Sequence, residues 1–120
     1  MSHRVLLAVV ALMTAVAGCA SSSGDPSKYA QSWTKSYAQT TCQDWTDSMT
    51  DQQKFAASAD ILSSARDKVD GGSGVAPDDL IRAFESEIDD ACAPPQPDPT
   101  ATLTDVTLFI YQADHAQFGP

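Results

Sequence analysis

The order of apolar and polar positions predicts a long helix in the middle of the chain. It begins at the capping box Thr50-Asp51-Gln52-Gln53, in which Thr50 caps the helix and Gln53 reaches back to it. Apolar residues then recur three or four positions apart, the spacing of one helix face. Those on one side are Phe55, Ala59, Leu62 and Val69, with Ile61 and Ala65 beside them. The glycine-rich residues 70–74 end the helix, because glycine readily adopts the left-handed conformation of a C-cap.

A second helix is predicted to open at Pro77. Proline is common in the first turn of a helix, and Asp78 and Asp79 are well placed against the positive end of the helix dipole. The apolar face of this helix consists of Leu80, Ile81, Phe84, Ile88 and Cys92. The proline-rich residues 93–99 cannot continue it, and they predict a stiff, extended connector.

Two shorter helices are predicted before these. Residues 27–39 place Tyr29, Trp33 and Tyr37 at positions i, i+4 and i+8, which predicts a helix with an aromatic stripe. Such a stripe packs in a core or lies at an interface, so these three side chains are candidate contacts for a protein partner. Thr40 or Thr41 can cap a short second helix that runs to Met49.

The segment after the connector is ambiguous. Its β-branched and aromatic residues from 102 to 111 fit a strand. Helical spacing fits as well, with Thr102 and Asp105 as a start signal and an apolar face formed by Leu103, Val106, Ile110 and Ala113. We favour the helix, because a single strand would have no partner. The expected fold is therefore all-α, a small helical bundle.

The first residues have the pattern of an export signal. A short basic start that ends at Arg4 precedes 13 residues, Val5 to Ala17, that are apolar except for Thr14. This run is shorter than the roughly 20 residues that span a membrane, and it fits a signal peptide. Val16-Ala17-Gly18-Cys19 is similar to a lipobox, the cleavage motif of bacterial lipoproteins. An ordinary secretory signal with a coincidental cysteine is the alternative.

This interpretation divides the chain into three parts. Residues 1–18 are the predicted signal peptide, residues 19–28 the lipidated Cys19 with a flexible tether, and residues 29–120 the helical domain with its connector at 93–99. Because two or three acyl chains anchor a protein stably, the mature protein is expected at the extracytoplasmic face of the cell membrane.

Two cysteines, Cys42 and Cys92, remain after Cys19 is lipidated. An exported protein meets an oxidising compartment, so they predict one disulfide. Each cysteine also shares the apolar spacing of its own predicted helix, where two helices would pack. Metal ligation and a reactive thiol are less favoured, because there is no CxxC motif and His115 is the single histidine of the mature chain.

The charge excludes nucleic acid as a partner. The chain has 16 acidic and 7 basic residues, and Arg4 lies in the predicted signal peptide, which leaves 6 basic residues and a mature net charge of −10. Such a surface repels phosphate backbones and anionic headgroups.

No pattern predicts catalysis, a metal site or a cofactor. Asp114 beside His115 does not form a dyad, and Ser63 and Ser64 lack the glycines of a nucleophile elbow. The acidic residues between Glu85 and Asp90 lack the ligand spacing of a calcium loop. We therefore expect a protein that is not an enzyme.

The stretch from Thr41-Cys42-Gln43-Asp44-Trp45 to Cys92 resembles the HdeA-like family of small exported acid-stress chaperones. The family has a Thr-Cys start followed by an acidic residue and an aromatic one, and a second cysteine about fifty residues later. The resemblance implies a four-helix-like domain in which acid exposes apolar surface that holds unfolding clients. Only Cys42 and Cys92 carry over residue by residue.

Two non-enzymatic roles are expected. In the first, the lipoprotein binds client proteins, as an HdeA-like chaperone does. In the second, it is a structural or accessory lipoprotein that docks a fixed envelope partner through the aromatic stripe or the C-terminal apolar face.

Overall fold

A computed structural model describes residues 26–95 and 98–120 of the chain. The predicted signal peptide, Cys19 and the tether up to residue 25 lie outside these residues, as do residues 96 and 97 of the connector. The described part contains a short 3-10 helix, Pro26–Tyr29, and the helices α1 (Cys42–Asp47), α2 (Asp51–Asp70), α3 (Asp78–Cys92), α4 (Leu103–Ala113) and α5 (His115–Phe118). No strand occurs among these residues, which confirms the predicted all-α class.

The helix boundaries follow from the capping residues in the sequence. Thr41 and Thr50 each accept a hydrogen bond from a backbone N–H of the first turn, and each forms a full capping box. Thr102 caps α4 in the same way, accepting from the Asp105 N–H at 3.3 Å. Gly71 ends α2 with a φ of 70°, the left-handed conformation predicted for it. Pro77 lies one position before the first turn predicted for it, as the N-cap of α3.

The core lies where α1, α2, α3 and α4 meet. Its largest fully buried side chains are Trp45, Leu62, Ile81, Phe84, Ile88, Leu103 and Phe118. The predicted faces of α2 and α3 therefore form most of it. Val69 is the exception on α2, because it is 72% exposed near the end of the helix.

A disulfide joins Cys42 and Cys92, as predicted, with 5.0 Å between the Cα atoms. It connects the first residue of α1 to the last residue of α3. The residues that lead into α4 form two backbone hydrogen bonds beside the disulfide. The Cys42 N–H donates to the Ala101 carbonyl, and the Leu103 N–H donates to the Thr40 carbonyl, both at 2.8 Å. Three helices are thus fixed at one point.

The prediction of a helix over residues 27–39 is wrong. After the 3-10 helix this segment is irregular and lies across α2, with its polar groups bonded to other elements. The Gln52 side chain donates to the Ala30 carbonyl, and the Gln31 side chain donates to the Ala56 carbonyl, both at 2.9 Å. The segment is rich in serine and threonine, which favour such alternatives to helix. Residues 26–28, assigned above to the tether, belong to this folded segment.

The C-terminal segment is helical, as favoured above, but its buried face differs from the predicted one. Leu103, Thr107, Ile110 and Tyr111 are buried, whereas Val106 is only partly covered and Ala113 is exposed. Thr107 fits in the core because its hydroxyl donates to the Leu103 carbonyl at 2.5 Å. The short α5 then places the Phe118 ring edge-on to Phe84, with 5.1 Å between the ring centroids.

Three carboxylates hold residues 26–40 and α5 in place. Lys28 and Tyr29 both donate to Asp78, and Lys35 donates to Asp44 at 2.9 Å. At the other end of the bundle, Tyr111 donates to Asp70, which also lies 2.9 Å from the His115 Nε2.

These bonds lower the pKa of each carboxyl below its ordinary value, because they stabilise the charged form. The largest cause of the lowered pKa is the hydrogen bond from Lys28 in Asp78, the one from Lys35 in Asp44 and the one from Tyr111 in Asp70.

The disulfide generates the first prediction. Reduction of the wild-type protein should lower the free energy of unfolding by about 4 kcal/mol, because the bond closes a loop with a sequence separation of 50. Urea denaturation with and without a thiol reductant measures the change. The double variant Cys42→Ala/Cys92→Ala should not respond to the reductant. A wild-type midpoint that reductant leaves unchanged would contradict the structural role of the bond.

The Asp78 contacts generate a second prediction. A carboxyl with a lowered folded pKa stabilises the protein above its unfolded pKa of about 3.9, and this stabilisation is lost as pH falls through the folded value. Asp78→Asn should therefore lower the Tm at about pH 7, and its difference from wild type should shrink as the pH falls below about 3.9. Asp79→Asn is the matched control, since the side chain of this exposed neighbour forms no hydrogen bond within the described residues. A difference in Tm that stays constant from about pH 7 to about pH 2 would refute the argument.

Candidate functional site

The three aromatic residues proposed as partner contacts pack against the core of their own chain. All three are half-buried: Tyr29 is the last residue of the 3-10 helix, and Trp33 and Tyr37 lie on the irregular segment that follows. The Tyr29 ring lies against Phe55 with 5.8 Å between centroids, and the Trp33 Nε1 donates to the Thr40 hydroxyl at 2.8 Å. Part of each side chain remains exposed, so a role in partner binding stays a prediction, and their main contacts are internal.

A concave surface lies between α2 and α4. Both helices pack against α3, and the space left between them is a groove of about 470 Å³ with Phe84 of α3 at its base. Its other lining residues are Tyr37, Asp60, Ile61, Ser64, Ala65, Lys68, Val69, Thr104, Thr107, Leu108 and Tyr111. We call this surface the α2–α4 groove.

The α2 wall of the groove consists of two adjacent rows of side chains. Ile61, Ala65 and Val69 form an apolar row at four-residue spacing, and Asp60, Ser64 and Lys68 form a polar row beside it. The middle residue of each row, Ala65 or Ser64, has a small side chain, so the wall is lowest between its ends. The two charged residues, Asp60 and Lys68, lie at opposite ends of the polar row.

The α4 wall carries apolar side chains that the core does not use. Leu108 lines the groove and is 53% exposed, and the neighbouring Phe109 is 72% exposed. Together with Val69 they are three of the four large apolar residues that are most exposed in the described residues. Their neighbours Thr107 and Ile110 face the core, so α4 is apolar on more than one side.

Hydrogen-bonded tyrosines fix both ends of the groove. At one end the Tyr37 hydroxyl donates to Asp60 at 2.8 Å. At the other end Tyr111 donates to Asp70. Burial raises the pKa of Tyr37 above its ordinary value and that of Tyr111 to about 12, and each carboxylate partner adds to the effect. Both phenols therefore stay neutral hydrogen-bond donors.

The polar groups near the groove do not form a nucleophile with its base. His115 pairs with Asp70, 45 residues away, and not with the adjacent Asp114. The Ser63 hydroxyl accepts a hydrogen bond from the Ala76 N–H at 3.0 Å and connects α2 to the loop before α3. Within the described ranges, no group of three His, Cys, Asp or Glu side chains is arranged to hold a metal ion. What the groove offers is apolar area with a charge at either end of one wall.

Sequence reasoning did not find this groove. The signal was present in Leu108 and Phe109, which lie off the predicted apolar face of α4, and in Val69, which ends an apolar row close to solvent. Exposure of these residues depends on the spacing between α2 and α4, which no local pattern contains.

The comparisons leave the family open. No helix in the described part of the chain is long and apolar enough to cross a membrane. Comparison of the chain with protein-family models, with curated proteins and with solved structures finds no match.

Proposed function

We propose that this protein is a lipoprotein of the extracytoplasmic membrane face, anchored through Cys19, that binds another protein through the α2–α4 groove and catalyses no reaction. The observation that carries this proposal is the exposed apolar surface on both walls of the groove, at Val69 on α2 and Leu108 on α4. The preferred partner is a fixed envelope protein, for which this lipoprotein is an accessory subunit.

Burial of the groove walls supplies the binding free energy. Each square ångström of apolar surface removed from water contributes about 25 cal/mol, so covering the groove residues Val69 and Leu108 stabilises a complex by a few kcal/mol. Contiguous apolar patches with a polar rim are typical of protein interaction sites. Here the rim consists of Asp60, Lys68 and Thr104.

The charge of the chain restricts the partner. Apart from the groove, the surface is strongly acidic, and the mature chain carries −10. A partner of the same sign would be repelled during encounter, whereas a neutral or basic surface would be attracted. Anchoring at the membrane face keeps the protein close to partners in the same membrane and raises their effective concentration.

A pull-down of the native lipoprotein tests this role. Val69→Ser/Leu108→Ser should reduce the recovery of a stoichiometric envelope partner about tenfold or more, because two apolar contacts are lost. Both side chains are largely exposed, so the Tm should change little. Val75→Ser is the matched control, since Val75 is 61% exposed and lies outside the groove.

Crosslinking before extraction and quantitative mass spectrometry measure the recovery. Equal recovery of the partner with the groove variant and with the control would refute binding through this surface.

A second candidate function is that of an acid-activated chaperone, as the resemblance to the HdeA-like family implies. The observation in its favour is the set of bonds through Asp44, Asp70 and Asp78, each of which holds the irregular segment or α5 against the bundle. Protonation of these carboxylates weakens the bonds, so strong acid should loosen those segments and uncover the core beneath them. The disulfide would keep α1 and α3 connected.

This second role predicts a change between about pH 7 and about pH 2.5, a range that includes the ordinary aspartate pKa. Fluorescence of a dye for exposed apolar surface should rise several-fold, and aggregation of an acid-unfolded client should be suppressed at the same pH. Asp78→Asn should bind more dye than wild type near neutral pH, since one contact is already lost. If near-UV circular dichroism and dye fluorescence stay constant down to about pH 2, the chaperone role is excluded.

A further inference from the structure

We infer that the partner of the α2–α4 groove is an amphipathic helix that lies along α2, with an acidic residue beside Lys68 and a basic residue beside Asp60. This inference rests on the proposed function and adds the shape and the charge pattern of the partner.

The shape of the groove fits a helix better than a small molecule. Pockets for small ligands bury most of the ligand surface. This groove is open along its length, because Val69 and Leu108 on opposite walls both reach solvent. Two helices that flank a shallow apolar trough are the usual receptor for a third helix, whose apolar residues recur at i, i+3, i+4 and i+7.

The low middle of the α2 wall favours one bulky apolar side chain at the centre of the partner. Ala65 and Ser64 are the small residues of the two rows, and each is only partly buried. A leucine of the partner can approach α2 closely above Ala65 and reach towards Phe84. A larger residue at position 65 would fill that space without changing any charge.

The charges of the polar row set the length and the charge pattern of the partner. Asp60 and Lys68 are eight residues apart on α2, which corresponds to about 12 Å along the helix. Neither forms an ion pair within the described residues, although Asp60 accepts the Tyr37 hydrogen bond. A partner helix of a little over two turns therefore spans both charges and pairs with each of them.

The helix dipole does not decide between the two directions of the partner. An acidic first turn stabilises the partner helix itself, but Lys68 beside that turn interacts unfavourably with the positive end of the dipole. The spacing of the two charges therefore distinguishes a matching partner, whichever way it runs.

Two synthetic peptides of identical composition test the inference. Both are helices of roughly 15 residues, held by a covalent side-chain staple, with leucines on one face. One has a glutamate and a lysine about eight positions apart, the spacing that matches the α2 row, and the other has the same two residues next to each other at one end. Calorimetry with the exported protein in lipid nanodiscs measures their affinities.

We expect the peptide with separated charges to bind about fivefold more tightly, because its two charges can pair with both Asp60 and Lys68, whereas adjacent charges can reach only one of them. High salt should reduce this preference. The double variant Asp60→Asn/Lys68→Ala should bind both peptides equally, and its new amide oxygen can still accept the Tyr37 hydrogen bond. Comparing the ratio between variant and wild type removes any effect of charge position on the peptides themselves. Ala65→Leu should weaken both peptides alike.

The other outcomes overturn the inference in distinguishable ways. Equal affinities for wild type, both lost in Ala65→Leu, would refute the charge pattern while leaving groove binding intact. Binding of neither peptide, together with a partner recovered independently of Val69 and Leu108, would refute the groove as the binding surface. A wild-type dimer in sedimentation that dissociates in Val69→Ser/Leu108→Ser would refute the separate helical partner and show that a second copy occupies the groove.

Discussion

The bond between Cys42 and Cys92 is the constraint on which the rest of the structure depends. It fixes the start of α1 to the end of α3, and the main chain on either side of Thr41 pairs with residues 101–103 at the same place. The entry of α4 is therefore set by a covalent bond and two short hydrogen bonds. Because α3 lies at the base of the groove, the position of α4 relative to α2 follows from this junction.

The parts of the fold that could be predicted from the sequence are those decided by local chemistry. Thr50, Gly71 and Thr102 act within a turn of their own helix, so their roles are visible without knowledge of the tertiary structure. The irregular segment at 30–40 could not be predicted in this way. Its aromatic spacing is compatible with a helix, but bonds through Gln31 and Gln52 connect it to α2, and those bonds replace the ones a helix would form.

In the candidate site, too, some features are predictable from the local sequence and others depend on the tertiary structure. The exposed apolar residues of α4 are visible in its pattern, because Leu108 and Phe109 lie outside its predicted apolar face. The groove itself requires the spacing of two helices that are far apart in sequence and each held by α3. Likewise, Asp70 meets His115 and Tyr111 only after the chain has turned back on itself twice. The predicted lipid anchor is a separate matter, since it depends on a peptidase motif and not on folding.

The first described residues also have a fixed place relative to the groove. Lys28 contacts the first turn of α3, and Gln52 in the first turn of α2 holds the Ala30 carbonyl. Lys68 lies about 24 Å farther along α2 than Gln52. A fluorescent label attached near Lys28 would therefore be well separated from the Lys68 end of the groove, and it would report binding there without obstructing it.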